Sequence, residues 1–202
     1  MTIETQLKQG AKQIGIELEE IQVAKLLQYL ELIIKWNKTY NLSAIRTPEQ
    51  GVEQHLLDSL SIISYIGRGD LLDIGSGAGL PGIVIAIMKP NLSVSVLDTV
   101  GKKCRFMQYV KTQLKLKNLT VVNQRVESYQ PAQCFSQITS RAFAEVKKTL
   151  DLSAHLLCDN GKYLLMKGAN ITQENLSKNT RQHVLNVPSS LGRRFLIEIM
   201  KK

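Results

Sequence analysis

Four glycines fall within eight positions at Gly75-Ser76-Gly77-Ala78-Gly79-Leu80-Pro81-Gly82, directly after the apolar run Leu71-Leu72-Asp73-Ile74 and directly before Ile83–Met88. Glycine accepts positive φ and lets a ligand touch the main chain. The amides that open the following helix have no partner inside it, so they can donate to an anionic or polar group. About twenty residues on, at the end of the next apolar run, Asp98 stands where a carboxylate would accept both hydroxyls of a ribose. Asp73 sits two residues before the first turn glycine, where it suits a ligand's amino end better than a pyrophosphate. A P-loop is disfavoured, because its final Gly-Lys and Ser or Thr are missing and Gly82 is followed by Ile83. Gly77-Ala78-Gly79-Leu80-Pro81-Gly82 does spell GxGxxG, so a nicotinamide dinucleotide stays open on these residues alone.

Other chemistry is thinly represented. Cys104, Cys134 and Cys158 form no CxxC, and His55, His155 and His183 are equally scattered, so neither a disulfide framework nor a metal site is expected. The first residues lack the basic start and apolar core of a signal peptide, and no apolar run approaches the roughly 18 residues that span a bilayer. A cytoplasmic chain with reduced thiols and no membrane contact is the expectation.

The elements that position the glycine loop follow from the apolar pattern. Leu71–Ile74, Val94–Leu97, Leu119–Val122, Ile138–Ser140 and Tyr163–Met166 alternate with helical stretches, the signature of βαβ units in a parallel sheet. In one such helix Phe106, Met107, Val110 and Leu114 form an inward stripe. His183–Val187 and Phe195–Ile199 break the alternation, because the Pro188–Arg194 connection is too short for a crossover helix; these two strands should be antiparallel. Residues 1–66 read as helical instead. Val23, Leu26, Leu27, Leu30, Ile33 and Ile34 make one buried stripe, and Leu7, Ala11 and Ile14 make a shorter one that ends at Gly15. Thr47-Pro48-Glu49-Gln50 supplies a cap, a first-turn proline and a capping-box glutamine.

The chain has 202 residues, the length of one ordinary domain with an appendage, and a formal charge of +9 that points to an anionic partner. That charge is uneven. Residues 1–70 carry 7 basic and 9 acidic side chains, which leaves 19 and 8 for residues 71–202. Lys102, Lys103, Arg105, Lys111, Lys115 and Lys117 lie in a window without acids, although a solvated helix face would look the same. Aromatic residues at 5% argue against an extended stacking platform for single-stranded RNA.

Leu72-Asp73-Ile74-Gly75-Ser76-Gly77-Ala78-Gly79 with Asp98 resembles the S-adenosylmethionine site of class I methyltransferases, and the terminal antiparallel pair is similar to that fold's seventh-strand hairpin. Further motifs narrow the resemblance. They are Trp36–Ser43, His55-Leu-Leu-Asp58-Ser59-Leu60, Gly79-Leu80-Pro81-Gly82, Asn118 through Arg125-Val126-Glu127, Ile138–Ala144 and Met166-Lys167-Gly168. Together they resemble the glucose-inhibited division protein B family, the 16S ribosomal RNA guanine-N7 methyltransferases. The resemblance implies an α/β fold of the class I S-adenosylmethionine-dependent methyltransferase type: a Rossmann-like, mostly parallel seven-stranded sheet with an antiparallel terminal hairpin. The expected division is a helical N-terminal extension over 1–66 and a methyltransferase domain over 67–202.

By the same resemblance Gly75 and Leu80 line the methionine side of S-adenosylmethionine, and Gly77 also belongs to the cofactor-binding set. Asp98 takes the ribose, Val126 and Glu127 frame the adenine, and Arg141 closes the site near the methyl donor. Lys167, Arg193 and Arg194 would meet 16S ribosomal RNA, free or within the small subunit or its assembly intermediate, and the enzyme would act as a monomer. Plainer readings stay open: Glu127 as a solvated loop carboxylate, Val126 as a strand-end core residue, Arg141 in a structural ion pair, Lys167 as a snorkelling lysine and Asn41 as a helix cap. The pattern departs after Phe135, where Ser136 and Gln137 stand in place of an acidic residue that many relatives carry, so a carboxylate to orient Arg141 from that point is missing. No catalytic residue is assigned, because guanine N7 offers a lone pair to an already activated methyl group. The rival readings are an NAD(P)-dependent oxidoreductase and a non-catalytic RNA-binding assembly factor on a methyltransferase fold.

Overall fold

The alternating apolar runs pair into one seven-stranded sheet in the computed structural model, which describes residues 1–169, 171, 180–188 and 192–201. Strands β1 (Leu71–Ile74), β2 (Val94–Asp98), β3 (Leu119–Asn123), β4 (Phe135–Arg141) and β5 (Leu157–Lys167) are parallel. Strand β7 (Arg194–Met200) lies antiparallel between β5 and β6 (Thr180–Leu185). The order is β3-β2-β1-β4-β5-β7-β6, so the direction of winding reverses between β1 and β4. A crevice for ligands opens at the carboxyl ends of the strands at such a reversal.

The expected apolar runs are all strands, and the terminal pair is antiparallel. Residues 189–191 of its connection lie outside the described residues. Several strand boundaries differ by one to three residues and one by six. Strand β5 begins at Leu157 rather than Tyr163, because Asp159-Asn160-Gly161 reads as a turn yet continues the strand through an irregularity, with Asn160 at φ 60°. Strand β6 ends at Leu185, two residues short of Val187, ahead of Pro188, which has no amide to donate.

The helices are α1 (Ile3–Gln13), α2 (Glu20–Tyr40), α3 (Pro48–Gly51), α4 (Asp58–Leu60), α5 (Gly82–Met88), α6 (Gly101–Gln113) and α7 (Val146–Ser153). Thr47 and Gln50 form the expected capping box at the start of α3. A π-helical turn over Val52–Leu57 links α3 to α4, and such turns recur at functional sites. Helix α2 buries Val23, Leu26, Tyr29, Leu30 and Ile33 and packs on α5 and α6. The N-terminal helices thereby share one apolar core with α5, α6 and one face of the sheet, and a second core fills the opposite face. Each fully buried Leu or Ile contributes about 1.5–3 kcal/mol.

One expectation is corrected. Cys134 and Cys158 are joined by a disulfide, with Cα atoms 5.0 Å apart, so only Cys104 is a free, buried thiol. The two cysteines are 24 residues apart in the chain and meet because β4 and β5 are neighbours, a pairing that cysteine spacing does not reveal. Among the described residues no helix is long and apolar enough to cross a membrane.

Candidate functional site

The loop after β1 needs its glycines for backbone reasons: Gly75, Gly77 and Gly79 have φ of 65°, 62° and 99°. Ser76 fastens the loop, its hydroxyl donating to the Asp73 carbonyl (2.8 Å) and accepting from the Leu97 amide (3.1 Å). From below, the buried Tyr29 hydroxyl of α2 donates to the Ala78 carbonyl at 2.8 Å. The turn is therefore held by both the sheet and the N-terminal helices.

Asp98 ends β2 with both carboxylate oxygens fixed. Oδ2 accepts from the Gly77 amide and Oδ1 from the Val100 amide, each at 2.9 Å, and Lys103 Nζ lies 3.7 Å from Oδ2. A carboxylate has about four acceptor positions, so acceptor capacity remains for a diol. Asp98 faces a cleft of about 410 Å³ that is also lined by Gly75, Val126, Glu127, Phe143 and Lys148. That volume suits a nucleoside-sized ligand. Val126 is buried and Glu127 exposed in the 3-10 turn Val126–Ser128, and both line the same cleft as Asp98.

Asp73 is fully buried under the same loop. Its Oδ2 accepts from the Gly82 amide at 2.9 Å, whereas Oδ1 is buried without a partner. Burial pushes this carboxyl up to about 7, against the opposing pull of the Gly82 hydrogen bond and the Arg141 charge. An unpartnered oxygen of this kind beside a glycine loop fits a ligand carrying an amino group.

The remaining expected residues are placed less directly. Gly77 contributes its amide to Asp98 rather than a wall of the cleft, and Leu80 is buried in the shared core outside the cleft lining. Arg141 also lies outside that lining: its Nη1 donates to the Gln54 carbonyl (2.7 Å) and to Asp58 Oδ2 (3.1 Å). Lys167 donates to the Ala144 carbonyl. Arg193 is exposed just before β7, whereas Arg194 pairs with Asp58, with Nε to Oδ1 and Nη2 to Oδ2 both at 2.8 Å. Asn41 is the left-handed cap of α2, as its plainer reading held.

Asp58, Tyr29 and Phe143 carry no expectation from the sequence, and Lys103, one of the cations in the acid-free window, lies beside Asp98. Asp58 supplies the carboxylate for Arg141 that Ser136 and Gln137 could not, from a segment 83 residues earlier. Nearby, His55 Nε2 and Ser43 Oγ are 2.8 Å apart, and burial with the Arg141 charge pushes the imidazole down to about 4, so it is neutral at neutral pH. Among the described residues no cluster of His, Cys, Asp or Glu could hold a metal ion.

The fold and the sequence both have known relatives. A putative S-adenosyl-L-methionine-dependent methyltransferase from Methanococcus maripaludis superimposes with a TM-score of 0.56 at 16% identity, covering 87% of this chain and 94% of that one. The N-methyltransferase NodS of Bradyrhizobium japonicum, solved with S-adenosyl-L-homocysteine, gives 0.52 at 15% identity, covering 88% and 98%. These likenesses establish the class I methyltransferase fold. In sequence, the ribosomal RNA small subunit methyltransferase G of Ruthia magnifica is 62% identical over 98% of this chain and 97% of its own length. The protein of the same name from Pseudomonas putida is 46% identical over 98% and 94%. Residues 22–193 match the family described as rRNA small subunit methyltransferase G. With that match spanning the glycine loop, Asp98, Asp58 and Arg141, the chain belongs to the GidB family of rRNA small subunit methyltransferases G.

Proposed function

We propose that the chain transfers the methyl group of S-adenosylmethionine to N7 of a guanine in 16S ribosomal RNA. The observation that carries this reading is Asp98, held by two loop amides with acceptor positions left for a ribose, at the mouth of a cleft beside the β1/β4 reversal. Val126 and Glu127 would frame the adenine from the β3 end. Gly75 would pass the methionine part across the loop, with its amino group toward the unpartnered oxygen of Asp73 and its methyl end toward Arg141. The bound cofactor supplies a sulfonium-activated methyl group.

The chain's own task is alignment. Guanine N7 has a free lone pair on the major-groove edge, so no proton has to leave before attack and no general base is needed. Holding N7 in line with the methyl carbon and sulfur accounts for most of the acceleration such a site can give. The substrate is structured RNA read by backbone and shape, with one base extruded, and the enzyme works on it as a cytoplasmic monomer. Neither an oxidoreductase nor a non-catalytic factor is favoured, given the family.

The test is mass spectrometry of 16S rRNA from a strain lacking the gene, with and without the gene restored. The expected result is one 7-methylguanosine lost and regained. An unchanged 7-methylguanosine content would reject the function.

A further inference from the structure

We propose that Asp58 is a positioning residue for the RNA substrate: it locks Arg141 and Arg194 into one pair whose uncompensated positive charge receives the phosphate beside the target guanine. The proposal rests on methyl transfer to RNA as the function.

Three distant segments converge here. Asp58 follows the π-helical turn, Arg141 is the last residue of β4 and Arg194 the first of β7. Phe195 pairs with Lys167 at the end of β5, so Arg194 stands just past the carboxyl edge of the sheet, the edge on which the cofactor cleft opens. Asp58 is fully buried, and the side chains of Arg141 and Arg194 are only 18% and 16% exposed. Arg194 grips both carboxylate oxygens, and Arg141 is held by one of them and by the Gln54 carbonyl.

Such a cluster is a poor device for stability, because desolvating three charged groups offsets most of their attraction and apolar residues of similar volume do as well or better. Its charge is also unbalanced. Two guanidinium groups on one carboxylate leave a net positive charge, and in a site so shielded from water an incoming anion is strongly favoured. A guanidinium that binds a carboxylate through Nε and Nη2 still presents Nη1. For Arg194 this atom lies toward Gly168, where even an added Cβ would stay 3.7 Å away, so the glycine leaves room beside it. A phosphate oxygen is the anion that an RNA substrate brings to this edge, and planar, fixed arginines suit it better than mobile lysines.

The experiment is single-turnover methylation of small subunits carrying unmodified 16S rRNA, with enzyme and S-adenosylmethionine both saturating, so that a smaller folded fraction does not alter the rate constant. Asp58→Asn keeps the shape and removes the charge that aligns the arginines. Its rate constant should fall roughly tenfold or more, the cost of a misplaced substrate, while calorimetry gives a cofactor Kd within about threefold of wild type. Arg194→Lys keeps the charge but loses the two-bond grip; it should also slow transfer, and it decides the matter if Asp58→Asn does not fold. A folded variant with the wild-type rate constant would overturn the proposal. So would a weakened cofactor Kd with an unchanged rate, since the surplus charge would then serve the cofactor's carboxylate. Wild-type enzyme that binds cofactor yet methylates no RNA would instead sink the function itself, a distinguishable result.

Discussion

A carboxyl group buried with one oxygen on the Gly82 amide and the other without a partner resists ionisation, and Asp73 is accordingly pushed up to about 7. The amino group of bound S-adenosylmethionine would favour the carboxylate, so below pH 7 binding must expel a proton. Cofactor affinity should therefore rise with pH, by roughly five- to tenfold between pH 6 and 7.5, and level off above. Calorimetry in two buffers of different ionisation enthalpy would record the released proton; Asp73→Asn should bind more weakly and lose the pH dependence. A flat wild-type profile would remove Asp73 from the cofactor site. Asp73 and Asp98 were legible because glycine spacing marks the strand ends that bear them. Asp58 was not, since its partners lie 83 and 136 residues away in the chain and only the folded sheet edge brings them together.

At the scale of elements, the turn between β1 and α5 separates strain from contact. Gly77 has φ 62° but open space where a Cβ would go, whereas Gly75 has φ 65° and its Cβ would lie 2.5 Å from Phe143 Cδ2. Gly77→Ala should cost about 1–2 kcal/mol of backbone strain and lower the Tm by roughly 2–8 °C, with the protein still binding cofactor. Gly75→Ala carries the same strain and also displaces Phe143 from the cleft wall, so its cofactor Kd should rise at least about tenfold. Differential scanning calorimetry and cofactor titration of the two variants would test this, and equal cofactor affinities would refute it. The strands themselves were readable, being short apolar runs bounded by turn residues. The π-helical turn at Val52–Leu57 was not, because it differs from an α-helix only in hydrogen-bond register and leaves no periodic signature.

For the whole molecule, the uneven charge and the shared core fit together. The N-terminal 70 residues, with 7 basic and 9 acidic side chains, back one face of the sheet, and the surplus cations lie on the cofactor-binding part. Apolar periodicity identifies a buried face but not what covers it, so the packing of α2 on α5 and α6 emerges only from the assembled fold. Helix α6 starts at the rim of the cleft, since Val100 and Lys103 line it, and its first turns expose Lys102 and Arg105 beside that mouth. Neither side chain lines the cleft, so their role can be separated from cofactor binding. If both meet RNA phosphates, Lys102→Gln with Arg105→Gln should weaken RNA binding and reduce the slope of log K against log salt by about 1.5 to 2. Cofactor affinity should not move. Filter binding of 16S rRNA across a salt series measures the slope directly, and an unaltered slope would assign these two side chains to a solvated helix face. Arg194 belongs to a different class of contact: tied to Asp58, it should change the rate of transfer more than the salt dependence of binding, and the two variant sets measured side by side would tell docking from alignment.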